Sequence, residues 1–316
     1  MLVAKLRLMR RVFVMGATCL TGCQAARTIA RAPSETLPGM PAPGTPAVIF
    51  ADGIVSTGDV FASTFTPDNR TVVFTKFTPP RMVLMTSTLV EGRWTPPVPL
   101  AFSGTYRDLD PAFSPDGRRL YFSSWRPRDG VGDTTSASDT WYVDRVGTGW
   151  SIPVRLPEPV NGGDVDMYPS VTRRGVLYFD SFRSQPRRRL VYRAAAGDDG
   201  SLTAPVAIDA TVNADSGASN AFVDPDERYL IFAANRPEGR GAIDLYISFR
   251  TAAGTFSPPR NLGPAVNTAG TEFCPFVTRD GKYLFFTRIS PPGVSPITRN
   301  IYVVRFDTLL SSLSER

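Results

Sequence analysis

Acidic and basic residues at matched places in the chain are its first chemical feature. Asp108 with Arg126, Asp166 with Arg183, and Glu272 with Arg288 each bracket a short turn-containing stretch. Asp59 with Lys76 is an approximate counterpart, while Arg236 has Gly217 where its acid should stand. A guanidinium beside a carboxylate serves either of two purposes: it contacts an anionic or hydroxyl-rich ligand, or it ties neighbouring strands together. Because the pairs recur with a repeat, strand tying is the leading expectation. Lys76, Asp108, Arg126, Asp166, Arg183, Arg236, Glu272 and Arg288 remain the candidate ligand-binding set. Arg236, lacking a partner, is the first to mutate.

Carboxylates alone can hydrolyse a glycosidic bond when one acid and one base or nucleophile stand roughly 5–9.5 Å apart. Asp108, Asp110, Asp166 and Glu272 are the possible suppliers, so a carbohydrate-active enzyme is the alternative reading. Other chemistry is excluded more firmly. The chain has no histidine, which rules out Ser-His-Asp and Cys-His mechanisms, imidazole metal sites and histidine proton transfer. Cys274 lacks a basic partner in the sequence and falls on a core-facing position, so a buried thiol is expected. No catalytic residue, metal or cofactor is assigned. Asp129, Asp133 and Asp139 lie in the loop 128–139 but do not match a calcium-loop spacing. Arg187-Arg188-Arg189 reads equally as a contact for anionic lipid headgroups near the anchor or as an exposed basic edge that discourages strand pairing.

The elements that position these groups are repeats. Residues 108–126 read DLDPAFSPDGRRLYFSSWR and 272–288 read EFCPFVTRDGKYLFFTR. Residues 166–183, 217–236 and 61–76 are three further, more divergent copies. Each copy joins two aromatic and aliphatic runs through turn residues such as Pro115-Asp116-Gly117, which predicts a hairpin. Third strands follow, as at Asp139–Val143 and Asp244–Ile247. Short fourth strands begin near Trp94, Trp150 and Phe256. Four antiparallel strands per roughly 50 residues make a propeller blade.

This pattern, an acid, then Pro, then Phe-Ser-Pro-Asp-Gly and Leu-Tyr-Phe-x-Ser-x-Arg, resembles the WD40-like PD40 repeat of TolB-type propellers. The resemblance covers nearly all of the chain after residue 46 and implies an all-β propeller, without implying an activity. Five blades account for the sequence, six being the alternative. The last copy lacks an outer strand, so the segment 45–59 is expected to supply it and close the ring. The absence of histidine counts against the oligogalacturonate lyases, propellers of similar repeat that use histidines for their metal.

The start of the chain reads as an address. Lys5, Arg7, Arg10 and Arg11 precede a short apolar run, Val12 to Leu20, and then Leu20-Thr21-Gly22-Cys23. This resembles a lipobox, with Cys23 as the lipidated residue. The expected division is a signal peptide over 1–22, a lipidated Cys and Pro/Ala-rich tether over 23–45, the propeller over 46–308 and a tail over 309–316. With 35 basic and 29 acidic residues the chain carries +6, of which four basic groups lie in 1–22. The remaining +2 gives no support to nucleic-acid binding. The expectation is a monomeric lipoprotein of the outer membrane facing the periplasm. It would act as a binding or scaffold module for an envelope protein, peptide or glycan.

Overall fold

The computed structural model describes residues 37–128, 137–162, 165–197, 201–214 and 217–314. Cys23, Asp129 and Asp133 lie outside the described residues.

Within residues 37–314 the chain forms a five-bladed β-propeller. Each blade is an antiparallel sheet whose strands follow one another in chain order, except that the last blade takes its outer strand from the start of the domain. The first strands are Val60–Phe65, Asp108–Phe113, Asp166–Val171, Ser219–Val223 and Thr271–Val277. Each touches the first strand of the next blade, and the fifth touches the first, so these five surround the axis. The second strands include Arg119–Ser124, Leu177–Ser181 and Tyr229–Ala234. They are covered by neighbours on both faces, which is why they read as near-continuous apolar runs.

The ring closes as expected. Val48–Ile49 pairs with the last strand, Arg299–Arg305, placing Val48 opposite Val303 and Ile49 opposite Tyr302. Phe50, fully buried, follows at once and packs edge-on against Phe65, Trp94 and Phe285. The clasp thus joins the last blade to the first through apolar packing as well as a strand pair. Packing begins ahead of that strand, since Leu37 is buried in the same core cluster and Met40 and Ala47 lie against it. At the other end, Phe306–Ser314 is a helix. Its buried Phe306 meets Tyr229, and Leu309, Leu310 and Leu313 lie on the core.

The hairpin tips meet around one end of the axis. Gly117 has φ +73°, and a Cβ there would approach Pro67 of the preceding blade to 2.6 Å. Both the left-handed backbone and the crowding require glycine at that tip.

Candidate functional site

All the pairs expected from the sequence form. Arg126 meets Asp108 at 2.8 Å, Arg183 meets Asp166 at 2.6 Å, and Arg288 meets Glu272 at 2.8 Å. Lys76 and Asp59 are 3.4 Å apart and much more exposed. Arg126 and Asp108 are sealed, at 5% and 0% side-chain exposure. The arginines also reach the connection entering their own blade. Arg126 donates to the carbonyl of Phe102, Arg183 to Pro159 and Val160, and Arg288 to Val266. Each guanidinium lies over a ring, Trp141, Tyr192 or Tyr302 respectively.

Blade four keeps this geometry without the acid. Arg236 donates to the carbonyls of Thr211 and Val212 and lies over Tyr246, but its Nε is unpartnered. The register corrects one sequence reading. Ser219 stands opposite Ala233, which places Ala218 rather than Gly217 at the position of the missing acid.

The pairs lie away from the channel mouth, because successive residues of a strand face opposite sides. Asp108 and Asp166 turn into the blade while Leu109 and Met167 turn to the axis. The mouth is a cavity of about 450 Å³ lined by Phe61, Met82, Arg107, Leu109, Trp125, Met167, Phe273, Ile289 and Arg299. It is apolar apart from two arginines. Arg107 lies over Trp125 at 4.4 Å and Arg299 over Phe61 at 5.4 Å. Neither has a carboxylate partner among the described residues. Sequence reasoning missed this surface, because its residues are scattered through four blades.

A bulge layer floors the mouth. Every innermost strand slips register one residue past its mouth-facing side chain. The slipped residues are Ala62, Asp110, Tyr168, Asn220 and Cys274, all with φ between 48° and 55°. The Tyr168 hydroxyl donates across the axis to the carbonyl of Pro275 at 3.0 Å. Cys274 is buried as expected, and burial holds its thiol well above the usual range. Adjacent blades are bolted at this layer. Thr75, Ser123, Asp180 and Thr287 accept the bulge N–H of Asp110, Tyr168, Asn220 and Ala62 respectively.

Asp110 and Asp180 depart from what the repeat requires at their positions. Ala serves at one equivalent of Asp110, and a hydroxyl serves at three equivalents of Asp180. Burial, then repulsion from Asp180 working against attraction by Arg189, holds the Asp110 carboxyl at about 7. Asp180 is also pushed up by burial, and its Oδ1 is unpartnered. Its Oδ2 takes Arg189 at 2.5 Å. Arg189 therefore turns inward to a fully buried acid, correcting its assignment to an exposed basic edge. Neither carboxylate lines the mouth. Asp139 is held by Arg155 at 2.5 Å, and no metal-ligating cluster occurs among the described residues.

One periodic device was legible but unread. Val160-Asn161, Val212-Asn213 and Val266-Asn267 recur before the innermost strands. Each asparagine side chain exchanges two hydrogen bonds with a third-strand residue, Thr140, Val191 or Leu245.

No protein-family model matches the chain, and no curated protein matches it. Solved propellers are similar in fold. A putative TolB from Agrobacterium tumefaciens aligns over 80% of this chain and 79% of that one, with 14% identity and TM-score 0.51. An α-L-arabinofuranosidase from Lactobacillus brevis aligns over 81% and 94%, with 12% identity and TM-score 0.52. TolB from Acinetobacter baumannii is 18% identical at TM-score 0.45. That match covers 77% of this chain, which spans about half (54%) of that one. The two likenesses above a TM-score of 0.5 show a TolB-like propeller fold and nothing narrower, since the fold carries both a TolB and a glycosidase.

Proposed function

We propose that the protein is an exported cell-envelope lipoprotein, anchored through Cys23, whose propeller is a binding or scaffold module. Its contact surface is the axial mouth. The observation that carries this reading is the placement of Arg107 and Arg299. The repeat arginines are spent on buried carboxylates and backbone carbonyls, whereas these two lie over aromatic rings beside an apolar cavity. A cavity of about 450 Å³ falls within the roughly 300–1,000 Å³ usual for recognition pockets. Apolar walls with cationic edges suit an apolar side chain next to a carboxylate, favouring a protein or peptide partner over a neutral glycan. No helix among the described residues is long and apolar enough to cross a membrane. In this reading the acyl chains at Cys23 supply the membrane attachment, at about 0.8 kcal/mol per buried methylene.

The test is capture of envelope components by the lipidated protein, compared with an Arg107→Ala/Arg299→Ala double variant and with Trp125→Ala. The reading expects partners captured by wild type and lost by both variants. Equal capture by all three would remove the mouth from consideration. Turnover of a polysaccharide that vanishes in Asp110→Asn would establish an enzyme instead. Cys23→Ser is expected to leave the membrane fraction, and its retention there would overturn the anchor.

A further inference from the structure

The opposite, turn-bearing end of the channel carries a feature that partner binding at the mouth does not use. The second residue of the hairpin tip is Pro67, Pro115 and Pro225 in three blades, and Pro suits such a turn because its φ is pre-set. Arg173 and Arg279 stand there in the other two. The turn does not require arginine, so something else must account for it.

Arg279 reaches across the axis and donates through Nη2 to the carbonyl of Phe113, in another blade, at 3.2 Å. It has no carboxylate partner among the described residues, and its Nε is buried without a hydrogen bond. Burial, followed by repulsion from Arg173, lowers its pKa to about 10 against the weaker attraction of Asp116 and Asp224, neither of which pairs with it. Arg173 itself pairs only with Asp226, at 2.5 Å on the surface, where both are about half exposed. Such a pair holds a side chain weakly. Between the two arginines lies a cavity lined by Arg173, Arg228 and Arg279 and by one carboxylate, Asp224. Arg228 already occupies that carboxylate through two hydrogen bonds of 2.9 and 2.8 Å. The cavity volume of about 20 Å³ exceeds the ~10–15 Å³ that seats one water-sized group. It therefore suits a compact ion.

A buried cation without a counter-charge is costly, and a second cation beside it raises the cost. An anion placed between them removes both penalties. Nη2 is spent on Phe113, so Nη1 is the Arg279 donor left for such an anion. We propose that Arg279 and Arg173 form a binding site for a small oxyanion of the phosphate, sulfate or carboxylate class at the turn end of the channel. This site is separate from the mouth and stands whether or not the mouth binds a partner.

The test is thermal denaturation of the full-length lipoprotein in chloride, sulfate, phosphate and acetate at matched ionic strength. Sulfate and phosphate also stabilise proteins non-specifically by exclusion, so the informative quantity is the difference between wild type and Arg279→Met. Wild type is expected to melt roughly 2–4 °C higher in a binding oxyanion than the variant's own increment allows. Arg173→Ala should lose most of that excess. Acetate separates the sources: an excess in acetate alone identifies a carboxylate, one in sulfate and phosphate a tetrahedral anion. In chloride, Arg279→Met is expected to melt at or above wild type, because an unpaired buried charge has been removed. Equal increments in wild type and Arg279→Met, or a variant that melts lower in chloride, would overturn the proposal.

Discussion

The blade bodies and the axis of this propeller follow opposite rules. In the bodies the same device recurs: Arg126, Arg183 and Arg288 each grip an acid, a carbonyl and a ring, although Arg288 sits two residues nearer the turn, directly opposite Glu272. Along the axis, the five equivalent bulge positions hold Ala, Asp, Tyr, Asn and Cys. Each blade is thus a control for the others. A polar group that returns with the repeat satisfies a need common to every blade. A polar group that appears once, as Asp110 and Asp180 do, or in two blades where the others have proline, as Arg173 and Arg279 do, answers to something other than the fold.

The strongest way to break this comparison is Arg126→Ala. It leaves the sealed Asp108 without its counter-charge, and about 3–5 kcal/mol of stability should be lost in denaturant titration. Partner capture per folded molecule should not change. If capture fell while stability held, the repeated pairs would belong to the binding site after all.

Asp110→Asn is expected to have nearly as large an effect, with a pH signature. The folded-state value of about 7 lies above the ordinary 3.8, so the folded protein holds this proton more tightly than the unfolded chain does. Stability from this group therefore falls as pH rises from about 4 to about 7, and the deficit is complete above 7. Asn removes the deficit. The variant should gain up to about 4 kcal/mol at pH 8 and little at pH 4, from about 1.4 kcal/mol per unit. A gain independent of pH would show that the carboxyl does not titrate in this window.

Arg236→Ala sharpens the comparison within the bodies. With no acid beneath it, only two hydrogen bonds to carbonyls and ring packing are lost, so about 1–2 kcal/mol is expected. A loss as large as that of Arg126→Ala would mean that the acid contributes little to the other blades. The smallest stability effect belongs to the Arg107→Ala/Arg299→Ala double variant, within about 1 kcal/mol of wild type, since neither side chain has a charged partner to abandon. Its capture of partners should nonetheless be the most impaired.

Much of this architecture was determined by the sequence alone. Alternation, turn residues and a recurring period specify hairpins and their number. The missing outer strand of the last copy specifies where the chain must return. Even the acid–arginine pairs were legible, because the two arms of a hairpin have fixed relative lengths. The second periodic device, Val-Asn before each of three innermost strands, stood in the same text and needed only to be read. Tertiary structure alone decided which side of each strand faces the axis, since a single-residue bulge reverses that sense and leaves no residue signature. Hence Asp108 lies inside a blade, Leu109 at the mouth and Asp110 in the floor. The mouth and the Arg173–Arg279 cavity were likewise invisible in the sequence. Their residues come from blades far apart in the chain, and only closure of the ring brings them within reach of one another.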